Sequence, residues 1–234
     1  MRVLALDTTT RAGSVAVLED GRVLAEHAGD PSRTHAERLP RELLDVLSVA
    51  GCTTRDIDLF AVASGPGSFT GLRIGIATIQ GLAFVHGRTV AAVSVLRALA
   101  EAGATGLPAG AVVGAWMDAH RREVFSALYR VVAPADGTQV ADLLELEGPH
   151  VSSAAATVAR WQPHGTVAVI CGDGAQLYAG AASAGTRVVP SPALAPVLGR
   201  LAPGTAATSP AGVQPLYVRR PDAELARDAA RPAR

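Results

Sequence analysis

The stretch Ser64–Gly75, reading SGPGSFTGLRIG, limits what this chain can fold into more than any other. An apolar run, Leu59 to Ala63, leads into it, and a longer one, Leu72 to Val85, leads out. Gly65, Gly67 and Gly71 allow a tight turn, Pro66 fixes one φ angle, and Thr70 is placed to cap the helix that follows. Strand, glycine-rich turn and helix N-terminus together make an anion cradle, because free N–H groups and the helix dipole both favour negative charge. The pattern is not a Walker A loop, since no Gly-Lys-Ser/Thr closes it. Its glycines also stand one residue too far apart for the dinucleotide fingerprint. A purely structural turn is the competing reading.

The elements around the turn alternate. Arg2 to Leu6 reads as a buried strand ending in Asp7-Thr8-Thr9-Thr10, and Glu19-Asp20-Gly21 joins two strands as a hairpin. Thr34 and Glu37 fit a capping box before a helix with Leu39, Leu43 and Leu47 at helical spacing, kinked at Pro40 and closed at Gly51. The turn's strand and helix follow, then a strand at Thr89–Val93 and a helix at Ser94–Ala102, which gives β-β-β-α-β-α-β-α. After the small, uncharged stretch Gly103–Gly110 the pattern restarts. Ala111–Met117 ends at Asp118 as the first strand ends at Asp7, and Glu123–Val131 alternates as the next strand should. A helix near Ser152–Arg160, a strand at Val167–Cys171, the turn Gly172-Asp173-Gly174, a helix to Ala182, a short strand at Arg187–Val189 and a helix at Leu194–Leu201 complete it. Expected units are a first lobe over 1–103, a second over 104–218, and a tail over 219–234. The tail carries five Arg against three acids and is expected to be disordered.

With 49% apolar and 18% charged residues and zero formal charge, the chain has no global field for nucleic acid or membrane. All 21 basic residues are Arg, a composition typical of a GC-rich genome, so Arg content carries no functional signal. Two distant cysteines, no leader pattern and no spanning run predict a reduced cytoplasmic protein without membrane contact.

No complete catalytic set emerges. None of the six histidines stands three or four from another, which excludes a paired metal face on a helix. Asp7, Thr8 and Thr9 resemble the first phosphate loop of an actin-like ATPase domain, but no glycine follows before Gly13, and side-chain closure of a hairpin explains them equally well. His35 with Glu37 reads as a helix cap, and Asp118, His120 and Glu123 as a solvated turn. Ser64, Ser68 and Thr70 have no base placed by sequence. Asp173 either meets a ribose or caps the next helix. No cofactor is expected.

The helix after the glycine turn is more informative. Gly71, Gly75 and Thr78 share one face, while Ile74, Ile76, Ile79, Leu82, Phe84 and Val85 cover much of the rest. Only Arg73, Gln80 and His86 are strongly polar. Such a helix must be covered nearly all round, either inside its own domain or by a partner subunit.

LALDTTT, SGPGSFTGLRIG, MDAHRREVFSALY from Met117, CGDG from Cys171 and PLYVR from Pro215 resemble, in order and spacing, the TsaB (YeaZ) family. The resemblance implies an α/β fold of the actin-like ATPase class (ASKHA, ribonuclease H-like) with two related lobes and degenerate nucleotide and metal motifs. It further implies a non-catalytic subunit that pairs with TsaD, joined by the ATPase TsaE, in forming N6-threonylcarbamoyladenosine on tRNAs reading codons that begin with A. The tRNA is substrate of the complex, with direct contact left open, and a homodimer is plausible when the subunit is alone. TsaD carries metal-binding histidines where this chain has Val95 and Leu99, which cannot ligate a metal. Gly71, Arg73, Ile74, Gly75, Thr78, Ile79 and Leu82 are then the candidates for the partner interface. Asp7, Thr8, Thr9, Gly65, Gly67, Asp118, Gly172, Asp173 and Gly174 are the candidates for a degenerate nucleotide site. The alternative is a stand-alone ATP-dependent phosphotransferase or metallopeptidase-like enzyme of the same fold class.

Overall fold

The computed structural model describes residues 1–133 and 140–219. Three antiparallel strands open the chain: β1 (Arg2–Asp7), β2 (Ser14–Glu19) and β3 (Arg22–Ala28). Between the last two, Asp20 and Gly21 both take positive φ, 50° and 80°, the turn geometry that matches strand twist. Helix α1 (His35–Val49) starts where the Glu37 carboxylate accepts the Thr34 N–H at 2.8 Å and its hydroxyl at 2.7 Å. It continues through Pro40, and Gly51 follows its end at φ 67°. Next come β4 (Leu59–Gly65), α2 (Phe69–Val85), β5 (Thr89–Ser94) and α3 (Val95–Ala104). Strands β4 and β5 run parallel to β1, so five strands lie in the order β3-β2-β1-β4-β5.

The second sheet repeats this plan. It is built from β6 (Val112–Asp118), β7 (Glu123–Ala133), β8 (Asp142–Ser153), then α4 (Ala154–Trp161), β9 (Val167–Cys171), α5 (Asp173–Leu177) and β10 (Arg187–Val189). Read from β8, its order is β8-β7-β6-β9-β10, with β9 parallel to β6 and β7 antiparallel to it. Both sheets therefore have the ribonuclease H-like order, and the fold is the two-lobed actin-like one that the resemblance implies. Strand β8 was not expected. Its Leu143, Leu144 and Leu146 are interleaved irregularly with acids, and it forms a partly exposed sheet edge.

Alternation along the strands builds two cores. Leu4, Leu6, Val15, Phe60 and Val62 face α1 and α2, where Leu39, Leu43, Ile76 and Ile79 cover them. Val3, Ala5, Leu18 and Ala61 face the other way into a core continuous with Val113, Met117, Phe125 and Tyr129 of the second sheet, with α3 between. Helix α6 (Ala195–Leu201) and strand β11 (Ala207–Thr208) lie within the stretch assigned by sequence to the second lobe, yet they pack on the first sheet. The Ala195 N–H donates to Ser14 Oγ at 2.9 Å, and β11 pairs antiparallel with β5. Of the expected tail only Arg219 is among the described residues; 220–234 lie outside them. No helix among the described residues is long and apolar enough to cross a membrane.

Candidate functional site

Strand β4 ends at Gly65, at φ 117°, and α2 begins four residues later. Its cap is Ser68, whose hydroxyl accepts the Gly71 N–H at 3.2 Å, and not Thr70, which lies exposed in the first turn. The helix starts early because the turn rests directly on the loop after β1, with the Ser68 N–H donating to the Thr9 carbonyl at 2.9 Å. The glycines make this contact possible. A Cβ on Gly67 would lie 2.5 Å from Thr9 Cβ, one on Gly71 2.0 Å from the Thr8 carbonyl oxygen, and one on Gly75 2.1 Å from Thr8 Oγ1. The Thr8 hydroxyl donates to the Gly71 carbonyl at 2.8 Å. Gly71, Gly75 and Ile79 are thus buried against their own chain, which corrects the expectation that the small residues of α2 receive a partner helix. Arg73 is exposed, and Ile74, Thr78 and Leu82 are half-buried.

The residues expected at a degenerate nucleotide site gather in two groups. Asp7, Thr8, Thr9, Gly65 and Gly67 meet at the ends of β1 and β4, while Asp118, Gly172, Asp173 and Gly174 meet at the ends of β6 and β9. In each group a carboxylate takes up local backbone donors. Asp7 Oδ1 accepts the Thr9 N–H at 2.9 Å and its hydroxyl at 2.6 Å. Asp118 Oδ1 accepts the His120 N–H at 2.9 Å, and Asp173 Oδ1 accepts those of Asp118 at 3.0 Å and Gly174 at 2.7 Å. Gly172 has φ 136°, and a Cβ there would lie 1.9 Å from the Trp116 carbonyl oxygen, so this turn is held flat against β6. Burial raises the Asp7 carboxyl pKa, the Thr9 hydrogen bonds and His35 act against that, and the Asp173 charge adds to it. Val95 and Leu99 are core residues, and no group of His, Cys, Asp and Glu suited to a metal occurs among the described residues.

On the opposite side of the first sheet, α1 and α2 leave an apolar groove of about 380 Å³ between them. Leu44, Leu47, Ile74, Thr78 and Leu82 line it, and Leu44 is 65% exposed. His35 stands at one end. Its Nδ1 lies 3.0 Å from an Arg38 guanidinium nitrogen, which can only donate. Nε2 therefore carries the proton and donates to the Thr10 carbonyl at 2.9 Å. Arg38, itself buried, bonds the Glu42 carboxylate at 2.6 and 2.8 Å and the carbonyls of Arg11 and Ala12. Helix α1 thereby clamps the loop that follows β1. Sequence reading put no α1 residue among the interface candidates, although the stripe of Leu39, Leu43 and Leu47 that it identified lines this half of the groove.

A family model described as "TsaD: tRNA N6-adenosine threonylcarbamoyltransferase" matches residues 26–184. The Escherichia coli (strain K12) "tRNA threonylcarbamoyladenosine biosynthesis protein TsaB" is 42% identical over 130 residues, or 56% of this chain and 55% of that protein. This match spans about half the length of that relative. The uncharacterized protein Rv3421c of Mycobacterium tuberculosis is 35% identical over 95% of this chain and 93% of its own. The structure titled "YeaZ from Pseudomonas aeruginosa" superposes with a TM-score of 0.75 at 31% identity, covering 92% of this chain and 99% of that one.

Proposed function

This chain belongs to the TsaB (YeaZ) family, and we propose that it is a non-catalytic cytoplasmic subunit that pairs with a TsaD-type protein, with a TsaE-type ATPase, in forming N6-threonylcarbamoyladenosine on tRNA. The observation that carries the proposal is the open α1–α2 groove. A helix pair that leaves Leu44 in water beside Leu47, Ile74 and Leu82 is built to be covered. Ile74, Thr78 and Leu82 form the α2 side of that surface, Arg73 is exposed but lies over Phe69 outside the groove, and Gly71, Gly75 and Ile79 seat the helix from beneath. The same surface would close a homodimer in the absence of the partner.

The non-catalytic part of the reading is supported by Asp7, Asp118 and Asp173. Each carboxylate takes up N–H groups at a strand end, so those donors are already spent and are not free to hold a phosphate. The same geometry counts against a stand-alone phosphotransferase, for which calorimetry with ATP and Mg²⁺ is the check: tight binding to the chain alone would revive it. The direct test mixes the purified chain with the TsaD-type and TsaE-type proteins of the same organism and assays threonylcarbamoyl transfer to tRNA. Transfer should require the chain, and full transfer without it would sink the proposal.

A further inference from the structure

After β11 the chain turns back along α2. The Gln80 side chain donates to the carbonyls of Pro210 at 2.8 Å and Val213 at 3.3 Å, and Val213 is buried beside Ile76 and Ile79. The Leu216 N–H then donates to the Ser64 carbonyl at 2.7 Å, at the end of β4. Gly65 has to be a glycine for this contact, because a Cβ there would lie 2.7 Å from the Leu216 carbonyl oxygen. The Tyr217 ring sits 5.2 Å from that of Phe69, and its hydroxyl accepts from Arg73 Nε at 3.2 Å. The Arg73 guanidinium in turn lies 3.9 Å over the Phe69 ring.

Two residues further on, Arg219 has reached the other lobe. It donates to the Ala119 carbonyl at 2.6 Å, pairs with the Glu123 carboxylate and lies 5.6 Å from the Phe125 ring centre. The turn it grips is an unusual one. His120, Arg121 and Arg122 have φ of 57°, 55° and 63° in succession, a conformation that L side chains keep only where their surroundings hold it.

We propose that residues 216–219 are a latch that crosses from the carboxyl end of β4 to the β6–β7 turn and holds the two lobes in one relation. The core shared under α3 joins the lobes on one side. The latch lies at the carboxyl ends of the strands, between the end of β4 and the turn after β6. Its two ends differ in strength. The first-lobe end holds through a backbone bond beside a close-packed glycine and through the packed Tyr217 ring, while the second-lobe end depends on the single Arg219 side chain, on the Ala119 carbonyl and a half-exposed carboxylate. Opening therefore begins at Arg219, and the glycine turn responds because it is bonded to the same segment, through Leu216 on the Ser64 carbonyl and Tyr217 beside Phe69. The relation between Asp7 and Asp173 is then set by the C-terminal segment, without a ligand between them.

Amide hydrogen exchange on the full chain tests this with Arg219→Ala and Glu123→Gln. Both variants should exchange about tenfold faster over residues 118–123 and also over Ser64–Gly71, the change expected when a charge-assisted contact that couples two segments is lost. Strand β8 and helix α4 should be unaffected. Acceleration confined to 118–123, or none, would overturn the latch and leave Arg219 as an ordinary surface pair. If Arg219→Ala loosens the whole chain, Glu123→Gln decides alone by the same two outcomes, because it keeps the side-chain shape and removes only the charge.

Discussion

Gly75 lies so close to Thr8 that a methyl group on it would stand 2.1 Å from the Thr8 hydroxyl oxygen but 3.3 Å from Thr8 Cβ. The conflict is therefore with one removable atom. Gly75→Ala should destabilise the protein by about 1–3 kcal/mol through overpacking, more than offsetting the roughly 1 kcal/mol by which alanine favours a helix. Placed on a Thr8→Ala background, the same change should lose most of its cost. Gly71→Ala should not be rescued in this way, because its methyl would meet the Thr8 backbone carbonyl. Urea unfolding of the six chains checks all three statements, and equal rescue at both glycines would show that the loop simply moves aside.

The groove is tested by a residue that touches no core. Leu44 is exposed, so Leu44→Glu should leave unfolding free energy within about 0.5 kcal/mol of the parent. A charge in a covered apolar surface should nonetheless weaken association with a TsaD-type partner by tenfold or more, since burying an unpaired carboxylate costs several kcal/mol or forces its protonation. Titration calorimetry on the pair gives the answer. Unchanged affinity would move the interface off this groove.

The two thiols should separate cleanly. Cys171 is buried at the end of β9, and burial pushes its pKa up to about 12. Cys52, after α1, is only half-buried, although burial raises its pKa as well. A disulfide reagent at mild alkaline pH should consume one equivalent rapidly in the native protein and the second only in denaturant. Two rapid equivalents would mean that the second sheet opens readily.

Local rules made part of this molecule legible in advance. Asp20-Gly21, Thr34 with Glu37, and Gly51 act through their own φ angles or on neighbours within four positions, and each stands where those rules place it. Gly71 and Gly75 were misplaced for the opposite reason. A small residue facing a partner helix and one facing Thr8, 63 positions earlier in the case of Gly71, look identical in sequence. The return of α6 and β11 to the first sheet is a long-range fact of the same kind. At the strand ends the sequence left two readings open, because Asp7 and Asp173 could meet a ligand or bond their own chain, and the choice depends on where their oxygens point, here onto the chain's own N–H groups.

Asp7 offers a pH signature of that arrangement. Burial raises its pKa in the folded chain above the unfolded value, which lies near ~3.9. The folded state then binds the proton more tightly than the unfolded one. The stability that Asp7 contributes is therefore fullest when the carboxyl is protonated, declines as pH rises through the interval between the two values, and stays at the lower level above it. Asp7→Asn keeps an oxygen for the Thr9 N–H and removes the buried charge, so its stability relative to the parent should improve as pH is raised from about 4 toward 7. Asp7→Ala also removes the charge but leaves the Thr9 N–H and hydroxyl unpaired, so it should lie about 1–3 kcal/mol below Asp7→Asn at every pH. Urea unfolding of the three chains across this range separates the two effects. If Asp7→Asn tracked the parent in parallel at all pH values, burial would impose no penalty on the ionised Asp7 carboxylate, and the pH signature would be absent.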